Sequence, residues 1–312
     1  MPEPPSSVEL ADARSFLVDR IGANCSAVEY VGEGAWSRCF AFERDGHEFV
    51  VRFGRQVDDF RRDRFASRFA SVDLPIPPVI DIGEAFGAWY CVSTRARGTP
   101  WEQLGATEWS ATVPSVLATL DALQSADIAD TTGFGEWDCD GSAQHATWSS
   151  FLGAVVDDPP GRRTHGWRRR LIDSPTSEVS FGRAYSQMMD LAGAFQGPRS
   201  LVHNDLLNRN ALAVDGRVTA VLDWGCSLYG DFLYELATFV FWSPWHEAIH
   251  DSDMLSMAVT HYAAIGLDVA DLDARLRCCA LHIGLVHLAY NAFLGDLETL
   301  RLTDERMSEF LE

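Results

Sequence analysis

Apolar and polar residues alternate along several short stretches in the first third of the chain, a pattern typical of half-buried β-strands. Two such stretches, 38–43 and 47–53, flank an Asp-Gly pair at 45–46, which is a strong signal for a hairpin with a two-residue turn. That turn pairs Arg52 with Cys39. Further strands are predicted over residues 26–31, 79–83 and 89–94.

Farther along the chain, apolar residues recur every three or four positions, which predicts a helix over 57–71 and a mainly helical region after Gly98. The stretch 131–147 is rich in Gly and Asp and predicts a loop or insertion lining a site. Other helices are predicted to begin near residues 148, 183, 234, 253, 272 and 304. We therefore predict an α+β, bilobal protein with a small β-rich N-lobe (1–97), a larger helical C-lobe (98–312) and a site between them.

The charge of the chain narrows the classes of partner. All 25 basic residues are arginine and face 45 acidic residues, which gives a formal net charge of −20. This charge argues against a nucleic-acid partner, because binding to phosphate backbones relies on Lys and Arg. The acidity suits a cationic small ligand and equally suits solubility alone, and the absence of Lys also fits a GC-rich genome or a salt-loving source. Any cation at a phosphate site is expected to be arginine.

The sequence predicts neither export nor a membrane partner. Residues 1–5 lack the basic start and apolar run of a signal peptide, so a cytoplasmic protein is expected. The uncharged stretch 278–295 contains His282, His287 and Asn291, and these polar interruptions predict a buried helix rather than a membrane span. The seven cysteines form no C-x-x-C pair, which predicts reduced thiols and no zinc site.

The most informative motif has the form H-x-D-x-x-x-x-N, from His203 through Asp205 to Asn210, with a further acid at Asp223. In phosphoryl transfer such an Asp accepts the proton of the attacking hydroxyl, while the Asn and the later Asp hold Mg²⁺. Each residue alone could equally be structural: His203 as a core histidine, Asp205 as a turn cap and Asp223 as a strand end. Their occurrence together, in this order, favours the catalytic interpretation.

A second Asp-Gly pair, at 215–216, predicts how this motif folds. It lies between two apolar stretches and predicts a hairpin that connects the Asn to the later Asp. A two-residue turn pairs Asn210 with Val221 and places Asp223 near Asn208. The hairpin would thereby bring the carboxamide and the carboxylate together.

The N-lobe carries a candidate phosphate site. A loop with Gly34 and Ser37 lies between two predicted strands, where glycine allows close approach to phosphate and a hydroxyl donates a hydrogen bond. Arg52, on the strand after the hairpin, is the candidate cation for the nucleotide phosphates. The alternative for Arg52 is a surface residue paired with Glu48.

A carboxylate on the following helix is expected to hold such a cation. Asp63 is the first candidate, and Asp59 is the second. In the C-lobe, Asp231 and Glu235 are interpreted as structural supports of the catalytic loop.

Together, these motifs resemble the aminoglycoside phosphotransferase family, antibiotic kinases that share the protein-kinase fold. The similarity extends from about residue 25 to 295. The stretches 74–77 and 241–245 (Phe-Trp-x-Pro-Trp) are most similar to the branch that acts on hygromycin B. The other matching stretches are 32–34, 37–38, 63–64, 69–71, 81–84, 147–148, 201–203 with Asp205, 217–221, 223–224, 230–231 and 234–235.

The resemblance implies a protein-kinase-like fold that transfers the γ-phosphoryl group of ATP or GTP to a hydroxyl of a cationic aminoglycoside. It implies Asp205 as the base, Mg²⁺ on Asn210 and Asp223, and a hinge over residues 93–97 whose backbone holds the base of the nucleotide. The nucleotide-contacting residues would be Gly34, Ser37, Arg52, Asp63, Ser93 and Arg95. Two positions differ from most of the family, which has Lys at Arg52 and a smaller residue at Asn204.

By the same resemblance, Trp242 and Trp245 lie in the helical lobe, where members of this family bind the acceptor. Aromatic faces pack on sugar rings and attract ammonium groups, and the alternative is a pair of buried core tryptophans. The rival functions are a kinase for a macrolide, choline, homoserine or a sugar, and an inactive relative that binds drug without phosphorylating it.

Overall fold

The computed structural model describes residues 8–34, 36–174 and 178–311. Within them, the alternating stretches of the N-terminal region form a five-stranded antiparallel sheet in the order β1-β2-β3-β5-β4. Its apolar face is covered by helix α1, whose Ala13 and Leu17 are fully buried. The elements are α1 (Leu10–Arg20), β1 (Cys25–Glu33), β2 (Ser37–Arg44), β3 (His47–Gly54), α2 (Val57–Ala66), β4 (Val79–Ala85) and β5 (Ala88–Thr94).

The predicted register of the first hairpin is confirmed, since Cys39 pairs with Arg52. Its turn residues Asp45 and Gly46 have φ of 52° and 76°, the left-handed values that a two-residue hairpin turn requires. The predicted helix after this hairpin is present but shorter than 57–71, because it ends at Ala66 and continues as a 3-10 turn over Ser67–Phe69. Helix α1 was not among the predicted elements.

Helices dominate the region after Gly98. Helix α10 is buried along most of its length and packs against α5, α6, α7 and α11, which confirms the prediction of a buried helix over 278–295. Two predicted helix starts were wrong: 183 lies inside α6, and 304 lies inside α11, which is capped by Asp296. The helices are α3 (Ala106–Gln124), α4 (Trp148–Gly153), α5 (Trp167–Ile172), α6 (Glu178–Leu191), α7 (Leu233–Trp242), α8 (Glu247–Asp251), α9 (Met254–Ala264), α10 (Leu272–Leu294) and α11 (Leu297–Ser308).

A small sheet positions the chain on both sides of the candidate catalytic motif. The stretch 131–147, predicted as a loop, contains β7 (Phe134–Trp137) and β8 (Ala143–His145), because β7 pairs with β12 (Leu228–Gly230). Strand β12 also pairs with β9 (Ser200–Val202). The segments that follow β9 and precede β12 are thereby held side by side.

The second hairpin is one residue out of the predicted register. Strands β10 (Ala211–Val214) and β11 (Arg217–Val221) pair Ala211, not Asn210, with Val221. The cause is a β-bulge near Thr219, whose hydroxyl donates to the carbonyl of Arg97 at 2.7 Å. The backbone carbonyl of Asn210 instead accepts a hydrogen bond from the backbone N–H of Leu222 at 2.7 Å. Strand β6 (Thr99–Pro100) pairs with the outer side of β10.

The predicted lobe boundary after residue 97 falls in the interval between Thr94, where the five-stranded sheet ends, and Thr99, where β6 begins. Across the three described ranges, no helix combines the length and the apolar character needed to cross a bilayer. The signal-peptide prediction concerned residues 1–5, which lie outside the described part of the chain.

Candidate active site

The candidate catalytic loop begins at His203, whose ring is fully buried against Trp224. Its Nε2 lies 2.8 Å from the carbonyl oxygen of Leu222, and its Nδ1 lies 3.3 Å from the backbone N of Asp205. This arrangement fits a neutral ring in which Nε2–H donates and Nδ1 accepts, and burial lowers the pKa of His203 to about 4. His203 is therefore a satisfied core histidine that joins the loop to the end of β11.

Glu235, on α7, holds the backbone of the same loop. Its carboxylate accepts hydrogen bonds from the N–H groups of His203 and Asn204, the latter at 2.8 Å. Burial raises the pKa of Glu235 to about 7, although these hydrogen bonds oppose the shift. Asn204 has a left-handed φ of 69°, and its side-chain amide donates to the carbonyl of Cys226 at 3.2 Å. A polar residue that tolerates this conformation thus ties the loop to the segment after Asp223.

Asp205 and Asn210 are brought into direct contact. The amide nitrogen of Asn210 donates to the Asp205 carboxylate at 3.0 Å and to the Asp205 carbonyl at 2.8 Å. Burial, and then the negative charge of Asp223, raise the pKa of Asp205 to about 8, against the hydrogen bonds from Asn208 and Asn210. The structure therefore gathers all three predicted polar residues at one place.

Asp223 follows β11 and has a left-handed φ of 58°. Asp223 is exposed to solvent, yet most of the surroundings of its carboxylate are protein, and we call the region around Asp205, Asp223, Arg52 and Asp63 the cleft. This desolvation and the nearby charge of Asp63 raise the pKa of Asp223 to about 6, while Arg52 opposes the rise. The cleft is therefore acidic, because the positive charge of Arg52 only partly balances the charges of Asp63 and Asp223.

Arg52 forms an ion pair with Asp63 on α2, and both side chains are largely buried. The second oxygen of Asp63 accepts the backbone N–H of Trp224 at 2.8 Å. Burial disfavours the charge of Arg52, but the charge and hydrogen bond of Asp63, together with the charges of Cys91 and Asp223, outweigh it and raise the pKa of the guanidinium well above its ordinary value. The alternative in which Arg52 pairs with Glu48 was wrong, because the Glu48 carboxylate binds Arg97.

The other predicted nucleotide residues lie along the same sheet. The backbone N–H of Gly34 donates to the carbonyl of Ser37 at 3.0 Å, and a Cβ on Gly34 would meet no atom within 4 Å, so the space beside Gly34 is open. Ser93 lies within β5, opposite Val50. The guanidinium of Arg95 pairs with Glu29 at 2.7 Å. The backbone N–H of Arg95 donates to the backbone carbonyl of Glu48, so this N–H already has a partner within the protein.

Trp242 and Trp245 stack edge to face, with ring centres 5.3 Å apart, at the end of α7. Trp245 is 41% exposed, so the alternative of two buried tryptophans was wrong for this residue. Trp242 contacts His287 on α10. Tyr290 lies one turn further along the same helix, and its pKa is raised by burial and then by the charges of Cys226 and Asp205. The two tryptophans and the catalytic loop thus approach the same end of α10.

Tyr290 and Arg163 were not among the residues predicted from the sequence. Arg163 pairs with Asp59, the second candidate for holding Arg52. Neither residue belongs to a recognisable motif, and each reaches the site from a segment remote in the chain. Only the folded arrangement identifies them.

A five-stranded antiparallel sheet that presents a glycine loop and an ion-paired arginine, followed by a helical region with this Asp-Asn-Asp arrangement, defines a phosphotransferase of the kinase-like class. The family model described as "Phosphotransferase enzyme family" matches residues 28–263. The chain belongs to this family. The family resemblance and the kinase-like α+β fold predicted from the sequence are confirmed.

Individual relatives are more specific. The chain is 36% identical over 285 residues to hygromycin-B 4-O-kinase from Escherichia coli, covering 91% of this chain and 80% of that protein. The crystal structure of aminoglycoside phosphotransferase APH(4)-Ia is similar with a TM-score of 0.85 and 32% identity, covering 97% of this chain and 98% of that one. A thermostable mutant of APH(4)-Ia, in a ternary complex with AMP-PNP and hygromycin B, gives a TM-score of 0.83 and 32% identity, covering 95% and 96%.

Proposed function

We propose that this chain transfers the γ-phosphoryl group of ATP or GTP to a hydroxyl of an aminoglycoside, hygromycin B, as an antibiotic-resistance kinase. The convergence of Asp205, Asn210 and Asp223 in one acidic cleft carries the proposal. The identity to hygromycin-B 4-O-kinase supports the acceptor and favours its 4-hydroxyl. The solved complexes of APH(4)-Ia with AMP-PNP and with ADP support a nucleotide co-substrate.

Asp205 is the proposed base. The acceptor oxygen forms a bond to the γ-phosphorus as the bond from that phosphorus to the bridging oxygen breaks, so that ADP leaves. The hydroxyl proton passes to the Asp205 carboxylate. A base whose pKa is raised to about 8 is well matched to accepting a proton near neutral pH.

The donor set fits Mg²⁺. The Asp223 carboxylate opens onto the cleft, and both hydrogen bonds of the Asn210 amide use its nitrogen, which leaves its oxygen for a cation. In the described part of the chain, no cluster of three His, Cys, Asp or Glu side chains forms a metal cage, and Mg²⁺ on a nucleotide needs only one or two carboxylates. When bound, Mg²⁺ would neutralise charge on the phosphates.

Arg52 is the proposed contact for the nucleotide phosphates, held in place by Asp63. The backbone at Gly34 and the hydroxyl of Ser37 would cover the phosphates. Ser93 and Arg95 would border the base of the nucleotide, and with the Arg95 N–H already bonded, the neighbouring hinge backbone is left to hold it.

Trp242 and Trp245 are the proposed contacts for the aminoglycoside rings. An acidic chain of net charge −20 would draw a polyamine substrate towards the cleft, whereas it would repel nucleic acid. The proposal includes no membrane partner and places the enzyme in the cytoplasm, where its nucleotide is available.

The acceptor is tested by measuring ADP release with Mg²⁺-ATP over a panel of hygromycin B, kanamycin, a macrolide, choline, homoserine and a simple sugar. We expect release with hygromycin B above the acceptor-free rate. A stronger response to another member of the panel would overturn the acceptor. Drug binding without any ADP release would identify an inactive relative.

A further inference from the structure

Arg163 reaches from the C-terminal region across the cleft. It lies on the segment before α5, and its guanidinium forms a two-point ion pair with Asp59 on α2, with Nη2 2.6 Å from Oδ1 and Nη1 3.0 Å from Oδ2. The same guanidinium lies 5.3 Å from the ring centre of Trp36, in the glycine-rich loop. A third of the side chain, 35%, stays exposed. Arg163 therefore borders the cleft beside this loop.

The partner of Arg163 lies next to the candidate metal ligand. A Cβ built on Gly225 would lie 3.3 Å from Oδ1 of Asp223 and 3.4 Å from Oδ1 of Asp59. The carboxylates of Asp223 and Asp59 therefore both lie beside Gly225. The charge of Asp59 contributes to the raised pKa of Asp223, after burial, Asp63 and the opposing Arg52. Only the carboxylate of Asp59 is therefore placed between the guanidinium of Arg163 and Asp223.

The glycine-rich loop and Asp223 lie on two sides of the place expected for the terminal phosphate. In kinase-type sites a glycine-rich loop covers the phosphates, and the metal-binding Asp lies beside the β- and γ-phosphates. Arg163 contacts the glycine-rich loop through Trp36. It approaches Asp223 through Asp59. Arg52, held by Asp63, is already the proposed contact for the other phosphates, and Arg62 donates to the carbonyl of Gly225.

We propose that Arg163 binds the γ-phosphate of the nucleotide, exchanging the two oxygens of Asp59 for two phosphate oxygens. A guanidinium forms such two-point contacts with carboxylate and phosphate alike and keeps its charge at any accessible pH. Asp59 holds the side chain in position until nucleotide binds. The role deepens the proposed function and rests on it: Arg163 stabilises charge on the phosphoryl group during transfer.

A purely structural role makes a different prediction. If the ion pair serves only to tie α2 to the C-terminal region, both partners matter equally and the γ-phosphate has no special effect. Nucleotide binding without acceptor separates the two roles, measured by calorimetry with ADP and with AMP-PNP at the same Mg²⁺ concentration. The variants are Arg163→Ala, Asp59→Asn and a control, Arg61→Ala, whose exposed arginine pairs with Asp58 on the same helix.

We expect Arg163→Ala to weaken AMP-PNP binding about 10-fold or more, to change ADP binding less than about 2-fold and to lower kcat by about 100-fold or more. Asp59→Asn should leave AMP-PNP binding at least as tight as in the unaltered protein, because it releases Arg163. Equal weakening of ADP and AMP-PNP in both variants would overturn the proposal, and so would AMP-PNP binding that Arg163→Ala leaves unchanged.

The test also separates this inference from the proposed function. An unaltered protein that binds nucleotide but phosphorylates no aminoglycoside contradicts the proposed acceptor, and the comparison of ADP with AMP-PNP still decides the role of Arg163. An unaltered protein that binds neither nucleotide overturns both.

Discussion

The carboxylate of Asp63 accepts a hydrogen bond from the backbone N–H of Trp224 at 2.8 Å, and its other oxygen binds the guanidinium of Arg52. One buried side chain on α2 therefore connects Arg52, on β3, to the residue after Asp223. The proposed nucleotide contact and the proposed metal ligand are held in one arrangement because they share this carboxylate.

Replacing Asp63 by Asn should weaken nucleotide binding. The amide keeps the shape of the carboxylate but lacks its charge, so Arg52 loses a charge-assisted partner worth about 1.5–3 kcal/mol. We expect the Kd for Mg²⁺-ATP to rise about 10-fold or more, measured by calorimetry. Asp58→Asn, an exposed change on the same helix, is the control. Equal affinities in the two variants would contradict the role of Asp63.

Asp205→Asn should abolish most phosphoryl transfer while nucleotide still binds. The amide is similar in size and cannot accept the hydroxyl proton, so kcat should fall by about 100-fold or more. ADP release with hygromycin B gives the rate, and calorimetry gives the retained affinity for nucleotide. Turnover close to that of the unaltered protein would rule out Asp205 as the base.

Asp223→Asn should remove the dependence of nucleotide affinity on Mg²⁺. In the unaltered protein we expect tighter ATP binding with Mg²⁺ than with EDTA, because the carboxylate supplies charge to the metal. The variant should show nearly the same affinity in both conditions. If Mg²⁺ tightened binding by an undiminished factor, another residue would have to hold the metal.

Trp245→Ala should raise the KM for hygromycin B about 2- to 30-fold, the range given by cation–π energies of about 0.5–2 kcal/mol. The KM for ATP should stay unchanged, since this exposed ring lies at the end of α7 and not in the N-terminal sheet. A variant with an unaltered KM for the acceptor would show that this tryptophan makes no useful contact.

The stability of the fold should depend on pH through His282. Its ring is buried, its Nδ1 lies 2.8 Å from the hydroxyl of Tyr234, and burial lowers its pKa from 6.5 to about 3. The folded protein therefore keeps it neutral where the unfolded chain takes up a proton. Its contribution to stability is present above about pH 6.5 and declines as the pH falls, by about 2 kcal/mol at pH 5.

His282→Asn provides the test, because the amide accepts from Tyr234 and does not titrate. Denaturant unfolding at pH 7 and pH 5 measures the loss of stability on acidification. We expect that loss to be about 2 kcal/mol smaller in the variant, whatever its stability at pH 7. Equal losses would contradict a neutral His282.

Local signals predicted the parts of the fold that local chemistry decides. The Asp-Gly turn at 45–46 set the register of the first hairpin through to Arg52 and Cys39. The same reasoning was wrong by one residue in the second hairpin, because the bulge near Thr219 accompanies a hydrogen bond to Arg97, a residue far away in sequence. A turn signal carries no information about such a partner.

The same limit applies to the candidate site. The recognisable spacing of the H-x-D-x-x-x-x-N motif predicted Asp205 and Asn210 as candidate site residues. Arg163 meets Asp59 only through the fold, as 104 residues separate them and neither is part of a motif.

Mass spectrometry of hygromycin B after incubation with the protein, ATP and Mg²⁺ tests the central claim most directly. We expect the drug to gain the mass of one phosphoryl group, and the Asp205→Asn protein, shown by calorimetry to bind nucleotide, to leave it unmodified. Unmodified hygromycin B in the presence of the unaltered, nucleotide-binding protein would contradict the claim.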